Sequence, residues 1–453
     1  MKTMNNLNLK YVALALLTPL ACAVLSACSN KDNTILPEPV QPVNPTPTPV
    51  AETKIPVVTI ETENHATIND KENYINCSVI INDDGKLYTD GTPFSGSGRI
   101  RGRGNSTWIM PKKPYKIKLD NKAKLLGMST DNEWVLLANY SDRSLLRNST
   151  AFEISRIVGM DWTPRSRNVE LYLNNTYLGV YQLAEHVKVS EERCNLNLVD
   201  VSATETADLQ ADYLMELDFH FDASHQFHTS YASLPLMFKN PETPNEAQFE
   251  YVRSCFNRAE AVLYGDSFLD PEAGYSQYID VDSFLKYYIV QELSKNCDGN
   301  MRGSCYLALK GDGKVYQPFV WDFDIAFGNA NHITWEQGAS STGPDGWYIK
   351  TCSPWFNRFF LDPTFVSALK QKWNTLKPQL DKLPDFIQEQ VNQMKYAIGR
   401  NFSSTGTGGA GWSIHGEIWP NYEDRGSYDA EVRFLKNFIT TRLHWLDEHI
   451  NAL

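Results

Sequence analysis

Residues 280–328 read DVDSFLKYYIVQELSKNCDGNMRGSCYLALKGDGKVYQPFVWDFDIAFG, and the reading of the fold turns on them. Val281, Phe284, Leu285, Tyr288, Ile289 and Leu293 fall at the spacing of one helix face, so an amphipathic helix is predicted. It runs into a polar loop, CDGNMRG, that carries Asp298 and Asn300. Two strands are predicted next, SCYLALK and KVYQPFVWD, joined by a glycine turn. The second strand delivers Asp322 and Asp324 in WDFD. Hard carboxylate oxygens at such a place suit a divalent cation. Asp298 is placed to orient an acceptor hydroxyl, and Asn300 to serve as a metal ligand. Taken singly, each has an ordinary reading: an Asp after a helix is commonly a cap or turn residue, and WDFD alone is a weak signal.

The segments upstream give these acids a context. PVVTIET and CSVII have strand composition, and NDDGK, just after the second of them, is a turn. In GSGRIRGRGNSTW, residues 96–108, Gly98, Gly102 and Gly104 alternate with Arg99, Arg101 and Arg103. In KKPYKIKLD, Tyr115, Ile117 and Leu119 alternate with Lys116 and Lys118, which predicts a strand with an apolar face and a cationic face. SDRSLLRNSTAFEISRIVG reads as a helix capped by Gly159. NVELYLNNTYLGVYQLAEHV reads as a hairpin turning at Asn174-Asn175, and ADYLMELD as a further, linking strand. The chain beyond residue 328 looks mainly helical and closes on DAEVRFLKNFITTRLHWLDEHI.

A glycine-rich hairpin, a lysine strand, a helix, two strands, a linking strand, helices, an acidic loop, a hairpin and an Asp-containing turn succeed one another in the order of parts of a protein kinase. Phosphoryl transfer asks a protein for little covalent chemistry. It needs cations around the phosphates, a held divalent metal and an acceptor in line. The motifs RGRGNSTW, KKPYKIKLD, WVLLANYSDRSLLRN, YLGVYQLAEHV, DYLMELD, ELSKNCDGN and WDFDIAFG together closely resemble the CotH family of secreted and spore-coat kinases, from about Ile55 to the C-terminus. The resemblance implies an α+β, atypical protein-kinase-like two-lobed fold, with a β-rich N-lobe over about 55–190 and a mainly helical C-lobe over about 210–453. It implies phosphorylation of Ser or Thr in secreted or surface proteins, with ATP and Mg²⁺ or Mn²⁺. Carried over by motif, Asp298 is the catalytic aspartate, and Asp322 and Asp324 are the metal-binding pair, Asp322 ranked first. Lys116 is assigned to the phosphates, with Lys118 on the same face left open. Arg101 and Arg103 would cover the phosphates, Glu153 would pair with the lysine, and Glu185 would stand at the hinge or adenine pocket. The loop departs from ordinary kinases: Asn296, Cys297, Gly299 and Asn300 replace a His-Arg-Asp motif.

The N-terminus predicts an extracytoplasmic address. Lys2 and Lys10 precede a mostly apolar run, Tyr11 to Leu25, that is too short to span a membrane comfortably and reads as a signal peptide, residues 1–27. Leu25-Ser26-Ala27-Cys28 resembles a bacterial lipobox, with Cys28 as the lipidated first residue and the outer membrane or cell surface as the expected site. Residues 28–54, including LPEPVQPVNPTPTPVAE, form a polyproline-like tether, and 55–453 the folded domain. The net charge of −12 argues against nucleic-acid binding, which needs a basic footprint. Of the remaining cysteines, Cys297 and Cys305 flank the candidate loop and invite a bridge, but free buried thiols are the expectation. Two other classes compete with the kinase. One is a non-catalytic scaffold on the same fold. The other is a glycan-active enzyme, suggested by abundant Trp and Tyr and by paired carboxylates.

Overall fold

In the computed structural model, which describes residues 54–205, 208–331, 333–334 and 338–453, seven strands of the N-terminal half close into a barrel. They are β1 Val57–Thr62, β2 Ile75–Asn82, β3 Phe94–Gly102, β4 Tyr115–Lys124, β5 Thr130–Leu137, β6 Ser166–Leu173 and β7 Thr176–Glu185. Neighbours follow the order β1-β2-β3-β4-β5-β7-β6, and parallel pairing of β1 with β6, Val57 opposite Glu170, closes the ring. The signal peptide, Cys28 and the tether to residue 53 lie outside the described residues.

Period-two patterning explains the barrel. On β4, Tyr115, Ile117 and Leu119 are buried while Lys116 and Lys118 face outward. The inward set joins Val58, Ile60, Val79, Ile100, Trp134, Leu171 and Tyr181 in a core of its own. The hairpin between β6 and β7 turns where expected. Asn174 and Asn175 both take positive φ, 49° and 61°, as a tight two-residue turn requires.

Helix α1, Arg147–Val158, ends as predicted at Gly159, whose φ of 76° lets its N–H reach Ser155 O and Arg156 O. It starts later than the sequence pattern suggests because Asp142 draws the amides of Ser144 and Arg147 into a turn. A second sheet has the order β12-β11-β8-β10-β9, built from β8 Tyr213–Leu217, β9 Gln226–His228, β10 Pro235–Asn240, β11 Cys305–Leu309 and β12 Val315–Tyr316. The expected linking strand is thus the central strand of this sheet, paired on both sides. The predicted strand 314–322 shrinks to Val315–Tyr316. Pro318 has no N–H to give a ladder, and the chain from Gln317 to Asp322 runs irregular but mostly buried.

The remaining long helices are α2 Glu246–Tyr264, α3 Val281–Ser294, α4 Pro363–Leu380, α5 Leu383–Phe402 and α6 Tyr428–Asn451. Helix α3 is the predicted amphipathic helix, but it is buried nearly all round, because α1, α4 and α6 all lie against it. The class is α+β as expected. The β-rich part closes on itself, where a two-lobed kinase would present an open sheet.

Candidate functional site

A cavity of about 390 Å³ opens between the turn after β3, the end of β5, the end of β8, the loop after α3 and the segment 321–325. That size is within the range of ligand sites. Arg103, Lys112, Asn148, Glu216, Asp218, His220, Asp298, Arg302, Asp322 and Asp324 all reach it.

Asp298 stands on a loop held from below. The N–H groups of Arg302 and Gly303 donate to its carbonyl, 3.2 and 3.3 Å away. Gly299 next to it packs so closely on Gln291 that a Cβ would collide with the amide oxygen. Burial pushes the Asp298 carboxyl up to about 6, and the nearby Asp322 charge adds to this against the pull of Arg302. Asp322 adopts φ 64°, a left-handed conformation that is strained for a residue with a Cβ. It is held there by its neighbours: Asn296 Nδ2 donates to its carbonyl at 3.2 Å, and Phe323 N donates to Asn148 Oδ1 at 2.7 Å. Burial raises the Asp322 pKa while Arg103 opposes the rise. Asp324 is raised well above its ordinary value, by burial first and then by Asp322, Asp142 and Asp298, with Arg147 opposing.

The structure therefore gathers Asp298, Asp322, Asp324 and Arg103 at one cavity, with Arg103 lying 5.8 Å over the Trp321 ring. Other expected residues are not among those lining it. Lys116 Nζ is 2.7 Å from Glu133 Oε2 and 2.9 Å from His186 Nε2. Lys118 leans on the same Glu133 at 3.7 Å and is more exposed. The expected Lys116–Glu153 pair is not formed. Glu153 lies on the outer side of α1 and binds Arg156 at 2.8 Å, whereas Glu133 sits on β5, the strand beside the lysine. Arg101 donates to Lys71 O and packs on Tyr74. Glu185 is fully buried, and its carboxylate takes Arg165 Nε at 2.7 Å, Ser129 N at 2.9 Å and Trp162 Nε1 at 3.3 Å. With its oxygens engaged in this way, it ties the end of β7 to its surroundings rather than facing a ligand.

Glu216, Asp218, His220 and Arg302 were not singled out by the sequence reading. Glu216 accepts Tyr306 Oη at 2.8 Å and pairs with Lys239 at 2.9 Å, and Asp218 holds His220 Nδ1 at 2.6 Å. The signal was present: Glu216 is the one half-buried position of an otherwise buried β8, an acid inside an apolar strand.

Among the described residues, no three His, Cys, Asp or Glu side chains are placed to hold a metal ion between them. The donor chemistry still suits Mg²⁺, which commonly takes one or two carboxylates and completes its shell with water and substrate phosphates. Asn300, the other expected metal ligand, lies on the Asp298 loop but is not among the residues lining the cavity; its Oδ1 is buried and has no hydrogen-bond partner. The six described cysteines are free thiols, Cys297 and Cys305 included. The family model described as CotH kinase protein matches residues 100–446. No curated protein matches the chain.

Proposed function

This chain belongs to the CotH kinase family, and we propose on that basis that it transfers the γ-phosphoryl group of ATP to Ser or Thr hydroxyls of secreted or surface proteins. The observation that carries the proposal is the meeting of Arg103 with Asp298, Asp322 and Asp324 at one cavity. Buried carboxylates that raise one another's proton affinity are poised for a cation or a proton, and perturbed acids of this kind cluster at working sites.

In this reading the barrel plays the part of a kinase N-lobe and the helical region that of the C-lobe. Arg103 meets the phosphates. Asp322 and Asp324 would hold Mg²⁺ or Mn²⁺, which when bound neutralises charge on the phosphate oxygens. Asp298 orients the acceptor hydroxyl and takes its proton, a role its raised pKa favours. Lys116 is held by Glu133 on the outer face of the barrel and plays no part at the phosphates in this reading. The acidic partner expected on the α-helix is thereby replaced by one on a strand. The proposed setting is extracytoplasmic, with Cys28 as the lipid anchor, and loss of fatty-acid labelling in Cys28→Ser is the check on that part.

The deciding experiment pairs a thermal-shift titration with a phosphotransfer assay on the purified chain. ATP with Mg²⁺ or Mn²⁺ should raise the melting temperature of the wild type and not that of Asp322→Ala. A wild type that shows no metal-dependent nucleotide shift and no transfer overturns the kinase reading. The scaffold reading then takes its place.

A further inference from the structure

Helix α3 does not end on glycine or asparagine. Its C-cap is Lys295, with φ 48° and ψ 45°, in the left-handed region where a side chain with a Cβ is disfavoured. What the lysine contributes there is its side chain. Lys295 is buried, and its ammonium donates to three backbone carbonyls: Ser341 O at 2.7 Å, Gly343 O at 3.0 Å and Asp345 O at 2.7 Å. Three donors meet three acceptors of one turn, and that turn lies downstream of the Asp322–Asp324 segment.

The contacts around it point the same way. Tyr348 Oη donates to Cys297 O at 2.7 Å, next to Asp298. Glu292, one helical turn before the cap, receives Tyr348 N at 2.8 Å and Lys350 N at 2.9 Å. Arg442 of α6 reaches Glu292 O, Pro344 O and Gly346 O. The 341–350 segment thus touches the structure under the Asp298 loop at several points, and Lys295 alone gathers three carbonyls of its turn.

We propose that Lys295 is a positioning residue: it ties the 341–345 turn to the end of α3 and so holds the Asp298 loop in the arrangement needed for transfer. This rests on the kinase reading for its effect on turnover, but not for its effect on the turn. The groups facing the ammonium are Arg442 from α6, Glu292 from α3, Asp345 from the turn and Cys352 from the short helix Ile349–Cys352. Burial first, and Arg442 next, lower the Lys295 pKa to about 8 against the pull of Glu292 and Asp345. Above that pH the neutral amine has two N–H donors for three carbonyls, and one contact is lost.

The test uses the full chain with Lys295→Met and Lys295→Arg. In Lys295→Met, hydrogen exchange of the peptide 338–348 should rise about tenfold. Turnover should fall about tenfold or more, with the KM for ATP within about twofold of wild type. Wild-type turnover should decline above about pH 8, while Lys295→Arg, which keeps its charge, should not share that decline. Unchanged exchange in Lys295→Met, a loss carried by KM alone, or the same alkaline decline in Lys295→Arg overturns the proposal. If Lys295→Met does not fold, the arginine variant still decides through its pH profile. If the wild type transfers no phosphate, the kinase reading falls, and the exchange of 338–348 in Lys295→Arg compared with wild type across pH 7 to 9 still decides whether the clamp exists.

Discussion

On the outer face of the barrel, Lys116, Lys118 and Lys188 surround Glu133 at 2.7, 3.7 and 3.6 Å. At the cavity, Asp298, Asp322 and Asp324 keep raised proton affinities although Arg302, Arg103 and Arg147 each act on one of them. In the first region, burial opposes the charge of Glu133, and the lysines win, so its pKa is lowered. In the second, burial and mutual repulsion win. Charge that is already compensated holds a surface together. Charge left short of compensation in a cavity is charge that a ligand can complete.

The largest effect expected from this contrast is at Asp298. Asp298→Asn keeps the shape of the loop but cannot take the acceptor proton. Turnover should fall by about 10²–10⁴-fold, while nucleotide binding, followed by calorimetry with a non-hydrolysable ATP analogue, stays at the wild-type value. Loss of binding instead would mean that Asp298 serves the donor and not the acceptor.

A smaller effect separates the two cationic groups. Arg103→Ala removes a charged contact at the cavity and should weaken ATP binding by about 1.5–3 kcal/mol. Lys116→Ala removes a partner that Glu133 already holds and should cost less than about 1 kcal/mol of affinity. The reverse order in the same calorimetry would place the phosphates against the barrel strand, as the alternation of KKPYKIKLD suggests.

That reversal marks how far the sequence could be read. Local rules were legible: two asparagines make the β6–β7 turn, Gly159 caps α1, and the lysines alternate with apolar residues on β4. Each of these depends on residues a few positions apart. The parallel pairing of β1 with β6 that closes the barrel joins residues 57–60 to 170–173, and no local pattern announces it. The partner of Lys116 failed for the same reason. Glu133 faces it through the β4–β5 register, in which Lys116 lies opposite Val135 and Lys118 opposite Glu133. A motif comparison looks for an acid on a helix. At the site, the three aspartates were readable from their loops; Glu216 stood out locally as an acid in an apolar strand, but that it and Asp218, one residue past β8, reach the same cavity depends on the pairing of β8 in the second sheet, which no local pattern announces.

The smallest effect, and the sharpest test of the contrast, is the pH dependence of stability without metal or nucleotide. Asp298 has its folded-state pKa raised from 3.8 to about 6. Between those values the folded chain keeps a proton that the unfolded chain releases, so this group's contribution is full below pH 3.8 and is lost as pH rises through about 6. Glu133 is lowered from 4.5, so its contribution is present above that value and is lost as pH falls through its folded pKa. The two regions therefore bend the stability curve in opposite directions. Denaturant midpoints of the chelator-treated chain, measured from pH 3 to 7, should show both limbs. Asp298→Asn should remove about 1–3 kcal/mol of the decline across pH 4 to 6. Glu133→Gln should flatten only the acid limb, by about 1 kcal/mol or less. Saturating Mg²⁺ with ATP should abolish the decline in the wild type, because a bound cation compensates the cavity acids in their charged form. If Asp298→Asn keeps the wild-type slope between pH 4 and 6, the cavity acids are not short of positive charge, and the distinction between the two regions fails.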